Sequence, residues 1–292
     1  SPCTMLTPSQ LIWNSFNLTQ VDTETVKSQP PYMTTVWAPG RVYGGLPISQ
    51  AVNAYLTLNP HCAPHTLNYN FIAPVISSVP LEFKVKHLEE GSIATVHVSQ
   101  SGNTVGLGHL RYNKIVSDYL DRLFNHASEY PSYTECESEE DFLTRVVGAE
   151  TDFLQKLREF PIEVREAKLP SDMNRIARWT RIKPEYHDSI TLNDGVAVIH
   201  YLTDYPILVV ADKIYRKPGK PPKSLSTLHH QVWMHEDNYD PFAWYLVVAE
   251  CDIISHGRAR VEAQVFDESR KCVMSVVQEG YVQTNTDRKS NL

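Results

Sequence analysis

The stretch AVNAYLTLNP at residues 51–60 returns as AVIHYLTDYP at residues 197–206, with six of the ten positions identical. The residues after each copy are also similar: HTLNYNF at 65–71 corresponds to STLHHQV at 226–232. Self-similarity of this sort marks a duplicated structural unit. The 292 residues also exceed the ~100–200 of a typical domain. A doubled fold is therefore the first expectation.

The repeated stretch has the apolar spacing of a helix that is buried mostly on one side. In the second copy, the apolar residues Ala197, Val198, Tyr201 and Leu202 return on one helical face. We expect this helix to end at Pro206, as its counterpart would end before a proline, because the residue preceding proline resists the α conformation.

Each copy leads into two stretches in which apolar and polar residues alternate, at 81–88 and 93–102 in the first half and at 243–253 and 258–267 in the second. Alternation with a period of two is typical of half-buried antiparallel strands. The sequence thus predicts an α+β fold in which two tandem antiparallel sheets each wrap a buried central helix.

The two halves are separated by a charged segment rich in helix-forming residues, of which ESEEDFLTRVVGAETDFLQKLREF (137–160) is typical. We interpret it as a linker with surface helices. The predicted organisation is a first unit at 1–115, a linker at 116–170 and a second unit at 171–292.

The composition excludes several classes of protein. Apolar residues make up 42% and charged residues 21%, which is a globular composition and not a disordered one. A formal charge of −7 argues against a general nucleic-acid binder. The apolar runs are far shorter than the ~20 residues of a membrane span, so we expect a soluble protein. Five widely spaced cysteines without a CxxC pair predict free thiols in a reducing compartment.

Asp204 is an acid in an otherwise apolar stretch from Tyr201 to Ala211. Near the C-terminal end of a helix a carboxylate opposes the helix dipole, and burial without a partner adds to that cost. The first copy has Leu58 at the same place, so the fold itself needs no acid there. Asp204 is either exposed in a turn or a site carboxylate that acts as a general base.

The strand that comes after this helix supplies further polar side chains. Counting by twos places Thr227, His229 and Gln231 on one face and His230 on the other. Thr227 would then offer a hydroxyl and His229 an imidazole to one locality, although threonine is also a common strand residue. Gln278, near the end of the last strand, carries an amide that can both donate and accept hydrogen bonds.

The pair Gly44-Gly45 precedes the first helix. A glycine-rich entry to a helix exposes free backbone N–H groups, which suit a carbonyl oxygen or a phosphate. The alternative is a simple tight turn.

A basic loop, DKIYRKPGKPPK at 212–223, leads directly to Thr227. Its residues Lys213, Arg216 and Lys217 would place positive charge beside a polyanionic ligand. The alternative is a solvated Pro/Gly loop.

Metal and nucleotide chemistry are not indicated. Three histidines lie close in sequence, but a strand rise of ~3.3 Å per residue separates His229 from His235 by about 20 Å, so we predict no metal site. There is no GxSxG elbow, P-loop or GxGxxG motif. We therefore predict no cofactor.

Five segments together resemble one known family, the TesB-like type II acyl-CoA thioesterases, in order and over nearly the whole chain except the linker. They are RVYGGLPISQAV (41–52), HTLNYNFIAP (65–74), FPIEVRE (160–166), TLHHQVWMH (227–235) and VVQEGYV (276–282). The resemblance implies a double hot-dog fold and hydrolysis of acyl-CoA to CoA and a fatty or related carboxylic acid.

In that family an Asp, a Thr or Ser and a Gln activate a water molecule that attacks the thioester. Matched residue by residue, they correspond to Asp204 in YLTD, Thr227 in STLHH and Gln278 in VVQEG. The chain departs from the family pattern at Leu46, where Gln is usual, and at His229, where Asp is usual. The basic loop is also not typical of the family. From the residues themselves we expect Gly44, Gly45, His229, Lys213, Arg216 and Lys217 to contribute to substrate binding.

Two other functions fit the same residues. One is a hot-dog hydratase, dehydratase or product-release enzyme acting on a carrier-protein-bound or polyketide thioester, for which His229 and Asp204 would form the His/Asp pair. The other is a non-catalytic acyl-CoA binder, against which the retention of all three polar residues argues.

The last residues, Ser290-Asn291-Leu292, differ by one substitution from the peroxisomal address Ser-Lys-Leu. We therefore expect a peroxisomal or cytoplasmic enzyme of lipid metabolism. Nucleic acid is not expected as a partner, and homo-oligomerisation stays open.

Overall fold

The structure is a computed structural model that describes residues 6–37, 40–88, 92–113, 127, 129–148, 151–167, 174–216, 219 and 221–284. Lys217 and the C-terminal Ser290-Asn291-Leu292, both singled out from the sequence, lie outside these ranges. Within them, no helix is long and apolar enough to cross a membrane.

In the described ranges, twelve antiparallel strands form one continuous sheet in the order β1-β2-β4-β5-β6-β3-β9-β12-β11-β10-β8-β7. They are β1 Leu18–Gln20, β2 Thr25–Ser28, β3 Ala63–Phe71, β4 Glu82–His87, β5 Ile93–Gln100, β6 Asn103–Asn113, β7 Ile162–Glu166, β8 Arg175–Ile182, β9 Ser224–Met234, β10 Tyr245–Ser255, β11 Arg258–Phe266 and β12 Cys272–Gln283. The four alternating stretches expected from the sequence are strands β4, β5, β10 and β11.

Each half of the sheet contributes six strands, and the halves join where β3 pairs with β9. Thr66 lies opposite Trp233, and Asn70 lies opposite His229. The predicted two antiparallel sheets are therefore present, and they share this central seam. Strand β7 pairs with β8 in the second half, although it falls within the stretch assigned to the linker. The limits of the predicted units stay a prediction.

The residues that the structure describes also form six α-helices: α1 Pro8–Phe16, α2 Gly45–Leu58, α3 Glu139–Val147, α4 Asp152–Glu159, α5 Gly195–Ile207 and α6 Val209–Arg216. Helices α2 and α5 contain the two copies of the repeat and pack against each other. The repeated residues Val52 in α2 and Val198 in α5 have no exposed surface. The two buried central helices of a double hot-dog are thus confirmed.

The second central helix does not end at Pro206, so that prediction was wrong. Helix α5 continues to Ile207, and Leu208 keeps helical angles of φ −68° and ψ −11° before α6 begins. A proline inside a helix lacks one hydrogen-bond donor, and its ring crowds the carbonyl of the fourth residue before it, here Leu202. Pro206 and Ile207 are both buried, and their packing keeps the backbone helical at this point. Helix α2 ends at Leu58, ahead of Pro60, as expected.

Helices α3 and α4 fall within the stretch assigned to the linker. Each begins at a hydroxyl cap: Ser138 accepts from the N–H of Asp141 at 3.0 Å, and Thr151 accepts from that of Leu154 at 3.2 Å. Leu154 is buried against the main core, which attaches α4 to the fold.

Candidate active site

Three elements bring Asp204, Thr227 and Gln278 together in the second half of the molecule. Asp204 lies on α5, Thr227 near the start of β9 and Gln278 on β12. The Thr227 hydroxyl donates to Asp204 Oδ1 over 3.2 Å, and the Gln278 amide nitrogen donates to the same oxygen over 2.6 Å. The amide also donates to Thr227 Oγ1 over 3.0 Å. The three residues carried over from the family resemblance therefore form one hydrogen-bonded cluster.

A β-bulge at Leu228 decides which side chains of β9 face this cluster. Gln278 lies opposite His230 and Glu279 opposite His229, but Gly280 lies opposite Thr227, so Leu228 has no partner. An unpaired residue reverses the alternation of side chains on either side of it. Thr227 therefore shares a face with His230. The prediction that Thr227 and His229 share a face was wrong.

His229 lies on the opposite face of β9 from the cluster. It is partly buried and pairs across the strands with Glu279. Burial lowers the pKa of His229, and the negative charge of Glu279 opposes that effect. The structure does not bring His229 to Asp204, so its predicted part in substrate binding has no support from the geometry.

His230 lies on the same face of β9 as Thr227, although counting by twos placed it on the opposite face. It has no exposed surface, and its Nδ1 lies 3.2 Å from the Gln278 amide nitrogen. The strand alternation assigned it to the wrong face because a bulge of one residue leaves no clear mark in a single sequence. The only available signal was that a histidine occupies a position among the apolar residues Val232 and Met234.

The Gly44-Gly45 pair lies against Asp204, at the beginning of α2. The backbone N–H of Gly45 donates a hydrogen bond to the Asp204 carboxylate. A Cβ atom at Gly44 would stand 2.7 Å from Asp204 Oδ2, and one at Gly45 would stand 2.5 Å from the carbonyl oxygen of Tyr201. Glycine is required at both positions by this close approach of α2 to α5.

Asp204 is largely buried but keeps some exposed surface, and burial raises its pKa from the ordinary 3.8 to about 6. The hydrogen bonds from Thr227, Gln278 and the Gly45 backbone act in the opposite direction, because they stabilise the carboxylate. The positive end of the α2 dipole adds to that stabilisation. Asp204 is therefore a carboxylate poised to exchange a proton near neutral pH.

Of the predicted basic loop, only part lies in the described ranges. Lys213 donates to the backbone carbonyl of Arg175 over 3.3 Å, and Arg216 pairs with Asp212 on its own helix at 2.5 Å. A different cation reaches the site. Arg41 is exposed, and its Nη1 donates to the hydroxyl of Ser226, the residue before Thr227, over 3.2 Å.

Metal ligands do not cluster at this site. Across the ranges that the structure covers, no group of three or more His, Cys, Asp and Glu side chains is placed to hold a metal ion. The chemistry of the cluster is that of a carboxylate, a hydroxyl and an amide.

Sequence comparison with known families gives two matches that together span most of the chain. Residues 34–109 match the acyl-CoA thioesterase N-terminal domain, and residues 134–282 match the acyl-CoA thioesterase C-terminal domain. Among curated proteins, none matches the sequence.

Solved structures with the same fold include thioesterases. The acyl-CoA thioesterase II TesB2 from Mycobacterium marinum superposes with a TM-score of 0.71 at 16% identity, over 94% of this chain and 99% of that one. A conserved hot-dog protein of unknown function from Alicyclobacillus acidocaldarius superposes with a TM-score of 0.72 at 16% identity, over 93% and 97% of the two chains.

More distant structures belong to polyketide enzymes. The dehydratase domain of RzxB from Pseudomonas fluorescens superposes with a TM-score of 0.56 at 9% identity, over 88% of this chain and 93% of that one. At these identities the structures establish the fold, and the matching domains establish the family. This chain belongs to the acyl-CoA thioesterase family and has its double hot-dog fold.

Proposed function

We propose that this thioester hydrolase cleaves acyl-CoA with a water molecule activated by Asp204, Thr227 and Gln278. The observation that carries the proposal is the convergence of two side-chain donors on one oxygen of a largely buried carboxylate. Such a carboxylate is costly to the fold, and the first half of the molecule has Leu58 at the corresponding position. A buried acid that only one half of a duplicated fold retains is best explained by chemistry.

The reaction needs no covalent intermediate. Asp204 accepts a proton from the water as the water oxygen attacks the thioester carbonyl carbon. The electrons of the C=O double bond move to its oxygen, and the positive end of α2 stabilises the resulting oxyanion. When that intermediate collapses, the C–S bond breaks, and protonated Asp204 returns the proton to the CoA sulfur. The products are a carboxylic acid and CoA.

Thr227 and Gln278 have distinct parts in this scheme. Thr227 donates to the carboxylate and accepts from the amide, so it fixes the spacing between the other two. Gln278 supplies an amide whose nitrogen faces Asp204 and whose oxygen has no hydrogen-bond partner in the described structure. That oxygen is a suitable acceptor for the second hydrogen of the attacking water.

The polyanionic end of CoA would meet Arg41 at the entrance to the cluster. Its bond to Ser226 places a guanidinium group one residue from Thr227, and guanidinium groups bind phosphate in a bidentate manner. Lys213, Arg216 and Lys217 stay a predicted second contact for the same phosphates. The peroxisomal or cytoplasmic location also stays a prediction.

The alternative function is dehydration or hydration of a thioester held on a carrier protein. The fold is shared with polyketide dehydratase domains, and histidine is the side chain that most often transfers protons in enzymes. Here the histidine next to the cluster is His230, whose pKa is lowered to about 3 by burial and whose Nδ1 is engaged by Gln278. A histidine held neutral and away from Asp204 does not form the required His/Asp pair, so the geometry favours hydrolysis.

Thiol release from acyl-CoAs of graded chain length separates these functions. The wild type should release CoA from at least one member of the panel, and Asp204→Asn should lose activity by about 100-fold or more while remaining folded. Loss of enoyl absorbance without thiol release would instead identify a hydratase. Binding of acyl-CoA without turnover would identify a non-catalytic binder.

A further inference from the structure

Two fully buried histidines, His230 and His200, lie behind the cluster. Gln278 meets His230 on β9, and His200 on α5 lies close enough to His230 to lower its pKa. His200 Nδ1 lies 2.7 Å from the carbonyl oxygen of Val196. Neither histidine has any exposed surface.

The partners of these rings determine where each carries its hydrogen. A carbonyl oxygen only accepts, so His200 must be protonated at Nδ1 and bare at Nε2. An amide nitrogen only donates, so its contact with His230 is a hydrogen bond when His230 is bare at Nδ1 and protonated at Nε2, with the two N–H groups shared among Asp204, Thr227 and His230. Within the described part of the chain, both Nε2 atoms are buried without hydrogen-bond partners, and they are complementary, one a donor and one an acceptor.

Both rings are neutral at physiological pH. Burial lowers the pKa of His200 to about 4 and that of His230 to about 3. His230 therefore presents the same acceptor at Nδ1 throughout the pH range in which the enzyme would work. Its environment contains Asp204 across Gln278, His200 behind it and His229 on the other strand face.

A fixed hydrogen-bond acceptor at His230 matters because the oxygen and the NH₂ group of a glutamine amide have similar shapes and can change places. Ionised Asp204 attracts the NH₂ end, but in the proposed reaction Asp204 becomes protonated, and a neutral carboxyl group can pair with either end. The Thr227 hydroxyl also rotates to suit either one. His230 is the contact that still distinguishes the two ends at that stage.

The other half of the molecule builds the same architecture without these groups. By the repeat, Leu58 corresponds to Asp204 and Ala54 to His200, while Tyr69 corresponds to His230. Gly108 lies opposite Tyr69, as Gln278 lies opposite His230. The polar contacts are therefore not a requirement of the fold.

We propose that His230, protonated at Nε2, is a positioning residue that fixes the Gln278 amide with its NH₂ group towards Asp204. The role in catalysis rests on the proposed thioester hydrolysis, whereas the hydrogen position on His230 does not.

Kinetics of two variants test the role. His230→Leu removes the acceptor, whereas His230→Asn places an amide oxygen near the position of Nδ1. We expect His230→Leu to lower kcat by about 10- to 100-fold with little change in KM, and His230→Asn to recover most of that loss. Tyr69→Phe, the matched change in the other half, should keep kcat within about twofold of the wild type.

The pH profile separates positioning from a general structural effect. The bond from Gln278 lowers the pKa of Asp204, so freeing the amide in His230→Leu should move the acidic limb of the kcat/KM profile to higher pH. Equal activities and equal limbs for His230→Leu and His230→Asn would overturn the positioning role.

The hydrogen position on His230 can be measured without activity. In protein labelled with ¹⁵N-histidine, with His230 assigned by its loss in His230→Asn, we expect a neutral ring protonated at Nε2 between pH 5 and 8. A ring protonated at Nδ1, or charged, would overturn the inference. If the wild type cleaves no acyl-CoA, the proposed function fails, and this spectrum still decides the tautomer.

Discussion

The backbone at Gly44, where α2 begins, lies against the carboxylate of Asp204 on α5, because a Cβ atom at Gly44 would stand only 2.7 Å from Asp204 Oδ2. The two central helices of the duplicated fold therefore meet at the proposed catalytic acid, and the first half of the molecule supplies the helix end that stabilises an acid carried by the second half. The glycine pair that resembles a substrate-binding element in sequence contacts the acid directly.

This contact predicts different outcomes for the two glycines. Gly44→Ala places a methyl group 2.7 Å from Asp204 Oδ2, so the carboxylate must move and kcat should fall about tenfold or more with modest loss of stability. Gly45→Ala places one 2.5 Å from the Tyr201 carbonyl oxygen and should destabilise the protein by about 1–3 kcal/mol by forcing α2 from α5. Kinetics and urea denaturation measure the two effects.

Gly108→Ala is the matched control, because a Cβ atom there would make only ordinary contacts, the nearest at 3.6 Å. We expect it to keep both activity and stability. Activity and stability falling together in both Gly44→Ala and Gly45→Ala would show that the two glycines do not act separately.

We expect ionised Asp204 to lower the free energy of unfolding at neutral pH. Its folded pKa of about 6 lies above the ordinary 3.8, so the folded protein holds this proton more tightly than the unfolded chain. Ionisation therefore becomes a penalty as pH rises from about 4 through 6, reaching about 2–3 kcal/mol. Asp204→Asn should be more stable than the wild type at pH 8, with the difference shrinking towards pH 4.

Denaturant titrations of both proteins at several pH values measure this difference. A wild type that is as stable as Asp204→Asn, or more stable, at pH 8 would contradict the buried, high-pKa carboxylate.

Thr227 should act through its hydroxyl group. Thr227→Ser keeps the donor to Asp204 and the acceptor for Gln278, so its kcat should stay within several-fold of the wild type. Thr227→Ala leaves Gln278 and Asp204 with one partner fewer each and should lower kcat by about 10- to 100-fold. Steady-state kinetics with a single acyl-CoA would show this order, and equal rates for the two variants would exclude a role for the hydroxyl.

Arg41 should recognise the phosphates of CoA. Arg41→Ala is expected to raise KM for acyl-CoA by about 5- to 10-fold, and to leave KM unchanged for an acyl-pantetheine that lacks phosphates. Arg216→Ala tests the basic loop in the same assay, and Arg145→Ala, which lies on the linker helix α3, serves as a remote control. A rise in KM for both substrates would point to a structural role for Arg41.

The fold could be predicted because the same pattern, a buried helix followed by alternating strands, occurs twice in the sequence. The repeated helix, the alternating strands after each copy and the charged linker all follow from local patterns, and the structure places them in one sheet around two helices. The features that the sequence did not predict depend on contacts between distant residues. Pro206 stays helical because burial outweighs one lost hydrogen bond, and that burial comes from elsewhere in the chain.

The candidate site was predictable in part for the same reason. Asp204 could be identified from its cost in an apolar helix and from Leu58 at the corresponding position. The sequence could not show that His230, and not His229, lies beside the cluster. That placement depends on the bulge at Leu228 in the pairing of β9 with β12. The position of Arg41 beside Ser226 joins residues 185 apart and leaves no local pattern.

The pH dependence of kcat/KM for the wild type, compared with Asp204→Asn, tests most directly whether Asp204 is the general base. This profile reports ionisations of the free enzyme. We predict a rise governed by one proton with a midpoint near pH 6, as set by the pKa of about 6 for the buried carboxylate, and no such limb in the residual activity of Asp204→Asn. The same limb in both proteins, or a fully active Asp204→Asn, would contradict the assignment of Asp204 as the base.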